Sequence, residues 1–131
     1  MEPNVEQAVP FFGVSNIEES VRFYVDGLGF EMTKKWTPGG KLRWCWLQLG
    51  GAALMLQEFP VDGKRGRGVS VCFQSKDAVA LYQAFISRGV QAKNPFVGNG
   101  MWVTIVSDPD GYKLDFQSPT DAPEETEYST P

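Results

Sequence analysis

Apolar positions along the chain recur with two periods, and the order in which the periods alternate is itself repeated. A short apolar run at residues 9–14 (VPFFGV) is followed by Asn16 and, three positions on, Glu19, a spacing that predicts a capping box and a helix start. Ile17, Val21, Phe23, Tyr24 and Leu28 supply an apolar face at helical spacing, and Gly27 or Gly29 provides the left-handed stop. Alternating or continuous apolar stretches then predict strands at 30–37, 42–49 and 52–58, separated by turns at Pro38-Gly39-Gly40 and Gly50-Gly51.

After a polar, glycine-rich stretch at 60–68 the order begins again. A strand is expected at 69–74, a helix at about 76–88 closed by Gly89, and strands at 90–96, 101–106 and 112–117. Gly98-Asn99-Gly100 reads as a hairpin turn and Asp108-Pro109-Asp110-Gly111 as the turn before the last strand. A shift of sixty residues lays Val21 on Leu81, Val25 on Phe85 and Gly29-Phe30 on Gly89-Val90. The expectation is one α+β domain made of two βαβββ modules, 8–60 and 69–118. Residues 119–131, rich in Pro, Thr and Glu, are expected to form a flexible tail or one laid over a surface, including that of a partner subunit.

Composition narrows the function classes. The chain is 42% hydrophobic and 21% charged, as ordinary globular proteins are, and no apolar run reaches the roughly 20 residues of a membrane-spanning helix. The opening MEPNVEQAVP has neither the basic nor the apolar segment of a leader peptide, so a cytoplasmic location is expected. A net charge of −4 argues against nucleic acid as a partner, and the basic cluster Lys64-Arg65-Gly66-Arg67 reads as a solvated loop. Cys45 and Cys72 each lie in an apolar alternating stretch and read as small core side chains, not as a disulfide. Histidine is absent, which removes the usual neutral-pH base and the commonest metal ligand.

Two motifs carry a resemblance. The stretch FFGVSNIEESVRFYVDGLGFE, with Asn16, Ser20, Phe23-Tyr24 and Leu28-Gly29-Phe30, and the later Asp108-Pro-Asp-Gly111-Tyr-Lys-Leu-Asp115-Phe resemble the two ends of vicinal oxygen chelate proteins, the glyoxalase/bleomycin-resistance/dioxygenase superfamily. The resemblance implies mixed sheets curled into a partial barrel around a cavity, helices outside, and homodimers. It also implies two alternatives: a divalent metal held by a His, Glu, His, Glu set on the first and last strands of both modules, or metal-free drug sequestration in the manner of the bleomycin-binding proteins.

Residue by residue, the implied ligand positions fall on Val9, on Met55 or Glu58, on Ser70 and on Asp115. Valine cannot coordinate and a neutral serine is a poor ligand, so Glu58 and Asp115 are the whole candidate metal set. Asp115 reads first as a carboxylate paired with Lys113 or Arg43 or simply hydrated, then as an anchor for a ligand cation and last as a metal ligand, and Glu58 reads first as a solvated charge at a strand end. Trp44 and Trp46, two apart on one strand, share a face. With Met55, Gln57, Ser70, Trp102 and Asp115 they form the expected ligand site, suited to a planar or cationic small molecule. No cofactor is expected. The leading expectation is a metal-free binding protein. The alternatives are a glyoxalase- or dioxygenase-type enzyme with a divalent metal on a reduced ligand set, and a structural dimer whose tryptophans fill its own cavity.

Overall fold

The computed structural model describes residues 3–59 and 65–130. Strand β1 (Phe11–Val14) leads into α1 (Ile17–Val21), which continues without a break as a wider π-helical turn, Arg22–Leu28. Asn16 caps it, its side chain accepting from Glu19 N at 3.1 Å, and Gly29 ends it with φ 94. Then follow β2 (Glu31–Trp36), β3 (Trp44–Leu49) and β4 (Ala52–Glu58). The second module repeats the plan with β5 (Ser70–Gln74), α2 (Ala78–Ser87, capped by Asp77), β6 (Phe96–Gly98), β7 (Met101–Ser107) and β8 (Lys113–Pro119).

Each module makes one four-stranded mixed sheet, ordered β1-β4-β3-β2 and β5-β8-β7-β6, and neither closes into a barrel. The first strand of each module runs parallel to its last, and the remaining pairs are antiparallel. The inner faces of both sheets and both helices share one core. A chain of rings runs through it from Tyr24 to Phe30, Phe73, Phe116 and Phe85, crossing between modules where Phe30 meets Phe73 at 6.1 Å. Phe12 stacks on Tyr112 at 4.0 Å, a second cross-module contact of the kind that adds about 1 kcal/mol beyond area burial.

The largest difference from the expected strands lies before β6. The strand expected at 90–96 begins only at Phe96, because Pro95 has no N–H for a ladder and the preceding segment attaches to β7 by one bond, Lys93 N to Ile105 O at 3.0 Å. Asn99 and Gly100, with φ 54 and 74, form the two-residue turn between β6 and β7. Residues 123–128 run beside β6. Val97 N donates to Thr126 O, Glu125 N to Val97 O and Tyr128 N to Pro95 O, while the Glu124 carboxylate accepts from Asn99 N and Gly100 N. The edge of the second sheet is thereby covered by its own chain. No helix among the described residues is long and apolar enough to cross a membrane.

Candidate functional site

Strand alternation divides each sheet into a helix-side face and an outward face. On β3, Cys45 and Leu47 are buried against the helices, so Trp44, Trp46 and Gln48 point outward. Cross-strand partners extend this outward face. Trp46 lies opposite Met55, Trp44 opposite Gln57, and Phe11 of β1 opposite Met55 from the other side. Four of the expected site residues, Trp44, Trp46, Met55 and Gln57, are therefore together.

The structure adds two aromatics that the sequence reading missed, Trp36 opposite Trp44 and Phe11, 55% and 48% exposed. Trp36 was hidden by a bulge. Met32 faces Leu47 in the core, yet Lys34, two residues on, faces Trp46, so one extra residue moves the second half of β2 to the other face. The pairing of two strands across Pro38-Gly39-Gly40 was the signal that could have found it. Trp46 is held in place: its Nε1 donates to Gln48 Oε1 at 2.9 Å, and Lys34 Nζ lies 4.8 Å from its ring centroid. The indole already serves as a seat for a cation.

The outward face of the second sheet is polar. Ser70, Lys113 and Ser107 form one cross-strand row, and Cys72, Asp115 and Ile105 form the next. Asp115 is only 8% exposed. Its Oδ2 lies 3.7 Å from Lys113 Nζ, and its buried Oδ1 has no hydrogen-bond partner. Cys72 is exposed and not a core side chain, since its strand turns Phe73 inward instead. Cys45 is fully buried, which pushes its thiol up to about 11 and leaves it unreactive. Trp102 does not join Asp115. It pairs with Ser118 and Val97 on the helix-side face, one residue out of phase with the outward row. Among the described residues, no hydrogen bond or ring contact joins Trp44, Trp46, Met55 or Gln57 to Ser70 or Asp115. One chain thus presents two separate candidate faces.

The Asp108–Gly111 turn joins the modules, and only its Gly111 reaches the edge of the polar face. Buried Asp108 accepts from Tyr24 Oη at 2.8 Å, from Tyr112 N at 2.9 Å and from Asp110 N at 2.9 Å. Burial pushes its carboxyl above the usual range against the pull of these donors, and burial beside Asp108 pushes the Tyr24 phenol up as well. Asp110 accepts from Ser15 N, and Tyr112 Oη donates to Gly13 O at 2.9 Å. Arg65 is drawn in too, its Nε 3.7 Å from Asp110 Oδ1 with a side chain 8% exposed, so the expected solvated basic loop is corrected at this residue. Lys64 of that cluster lies outside the described residues.

The profile of the Glyoxalase/Bleomycin resistance protein/Dioxygenase superfamily matches residues 7–116, nearly all of both modules. The chain belongs to this superfamily. Solved structures agree on the fold. A bleomycin resistance determinant encoded on the transposon Tn5 is 23% identical with a TM-score of 0.73, over 90% of this chain and 100% of that one. TnmS3, an antibiotic binding protein from Streptomyces sp. CB03234, is 22% identical with a TM-score of 0.69, over 91% and 100%. A bleomycin-binding protein complexed with bleomycin is 21% identical with a TM-score of 0.69, over 90% and 100%. No curated protein matches the chain.

The metal that part of the superfamily uses does not fit the residues present. Among the described residues no three Cys, Asp or Glu side chains gather as a metal-holding group. Glu58, expected as a solvated charge or as a ligand beside Asp115, does neither. It accepts from Ile17 N at 3.0 Å at the start of α1, and its other oxygen accepts from Lys41 at 3.3 Å and Arg43 at 3.2 Å. These donors, the backbone N–H first, hold its carboxyl below the usual range. It sits opposite Val14 on the helix-side face, out of phase with outward Met55 and Gln57. Asp115 has Lys113 beside it where a cation would approach.

Proposed function

We propose that this protein is a metal-free small-molecule binding protein whose ligand stacks on the outward face of the first sheet. The observation that carries the reading is the cluster of Phe11, Trp36, Trp44, Trp46 and Met55 turned to solvent across four strands. An exposed apolar patch of this kind marks a binding surface. The Lys34 ammonium over Trp46 supports a planar ligand carrying positive charge, which would take the place of that side chain. The net charge of −4 favours such a ligand at long range.

A homodimer completes the reading. In it, the aromatic face of one copy lies against the polar face of its partner, and a ligand between them stacks on Trp44 and Trp46. Ser70 lies on that polar face, whereas Trp102 acts from behind it as packing. No cofactor takes part.

Metal analysis of protein purified without chelator, together with sedimentation analysis, tests the reading. The expected result is a dimer with substoichiometric divalent metal and thermal stabilisation by planar cations such as ethidium. Stoichiometric metal accompanied by glyoxalase or dioxygenase activity that is lost on chelation would replace this reading with the enzyme alternative.

A further inference from the structure

The second sheet carries a feature that the aromatic face does not explain. At the start of β5 and β8 and the end of β7 lies a cleft of about 540 Å³. Arg67, Lys93 and Lys113 line it with Ser70 and Ser107, and among the described residues no acidic one does so. The three cations come from three separate segments: the loop before β5, the α2–β6 connection and β8. Lys113 stands in register between Ser70 and Ser107, so a hydroxyl flanks the ammonium on each neighbouring strand.

The competing contacts are few. Lys113 has Asp115 Oδ2 at 3.7 Å, long for a hydrogen bond, and Lys93 lies over the Phe96 ring at 5.1 Å. Ion pairs among the described residues engage Lys41, Arg43, Arg65 and Lys113, but neither Arg67 nor Lys93. The cleft is open. A Cβ built on Gly68 or Gly111, both at its lining, would meet nothing within 4 Å.

Gathering three like charges around a concavity, in a chain whose net charge is −4, costs Coulomb energy that the long Lys113–Asp115 pair and the Lys93–Phe96 ring contact offset only in part. A bound anion offsets it. A carboxylate offers two oxygens and one charge, whereas a phosphate ester offers three acceptor oxygens and nearly two charges, matching several cations and hydroxyl donors at once. The row from Ser70 to Ser107 spans two strand spacings, about 10 Å, longer than a phosphate alone. It therefore has room for the ester's organic part.

We propose that this cleft is an anion site for a small phosphate monoester, formed within one chain and independent of the aromatic face. The test is calorimetric titration of the full chain with phenyl phosphate, inorganic phosphate and sodium chloride at matched ionic strength. Phenyl phosphate is expected to bind saturably, inorganic phosphate about tenfold more weakly, and chloride not at all. Arg67→Glu and Lys93→Glu are each expected to weaken phenyl phosphate by tenfold or more, as is Ser70→Ala/Ser107→Ala by about fivefold with the charge unchanged. Arg22→Glu, which alters a cation outside this cleft, is the control and leaves binding unchanged. These exposed positions keep the fold, verified by unfolding of each variant without ligand. The proposal is overturned if heat tracks ionic strength regardless of the anion, if Arg67→Glu and Lys93→Glu bind like wild type, or if Arg22→Glu abolishes binding. Because the indoles that hold the planar cation lie outside this cleft, Trp44→Ala is expected to remove planar-cation binding and to leave phenyl phosphate binding measurable.

Discussion

The two modules are built on one plan, and they differ most on the faces they turn away from their shared core. Inward, both sheets present Leu, Val and Phe to the same ring-lined interior. Outward, the first presents Phe11, Trp36, Trp44, Trp46 and Met55, and the second presents Ser70, Cys72, Lys113 and Asp115. The inward faces must fit one another, since a misfit leaves a cavity costing several kcal/mol. No such constraint ties the outward faces. A repeated fold can therefore keep a common interior and place unlike chemistry on its two surfaces.

The sharpest way to break the comparison is to cut the join on which it depends. Asp108→Ala leaves the Tyr24 hydroxyl, the buried Tyr112 N–H and the half-buried Asp110 N–H without an acceptor, and a loss of about 3–5 kcal/mol in urea unfolding is expected. A loss below 1 kcal/mol would mean that the join does not depend on the Asp108 carboxylate.

Gly66→Ala comes next. Its Cβ would fall 2.1 Å from Tyr112 N, so backbone must move, for a loss of about 2–3 kcal/mol. Gly68→Ala meets no atom but keeps φ +78, for about 1 kcal/mol. Equal losses in denaturant unfolding would show that the close approach of the loop to the Asp108–Gly111 turn is not what Gly66 provides.

Glu58→Gln tests whether this carboxylate is structural. Its folded-state pKa lies below the ordinary 4.5, so the stability it contributes is fully present above that value and is lost as pH falls through the folded pKa. The wild-type advantage over Glu58→Gln, about 1 kcal/mol at pH 7, is expected to vanish in acid denaturation series run toward pH 3. An advantage independent of pH would refute the assignment.

The smallest stability effect separates the tryptophans. Trp44→Ala, outward, is expected to change unfolding by under 1 kcal/mol and to remove planar-cation binding. Trp102→Ala, helix-side, is expected to cost about 1–2 kcal/mol and leave binding intact. The reverse outcome would move the ligand to the second sheet.

Much of this was legible in the chain. Asn16, Gly29 and Gly89 marked helix ends by local chemistry, and Trp44 and Trp46 marked a face by strand alternation. What escaped depended on phase or on distant partners. The bulge in β2 moved Trp36 outward, the phase of β7 turned Trp102 inward, and Glu58 found its partners at Ile17, Lys41 and Arg43 through the fold. Cys72 likewise sits in an apolar sequence, but its strand turns Phe73 and not the thiol to the core.

The most direct test of the central claim is calorimetric titration of a planar cation, ethidium, into wild type and Trp44→Ala/Trp46→Ala, each with and without EDTA. Calorimetry reads binding without using the tryptophans as reporters. The account predicts saturable binding with a Kd on the order of micromolar, unchanged by EDTA and weakened at least tenfold in the double variant. Binding that requires a divalent metal, or that survives loss of both indoles, would contradict it.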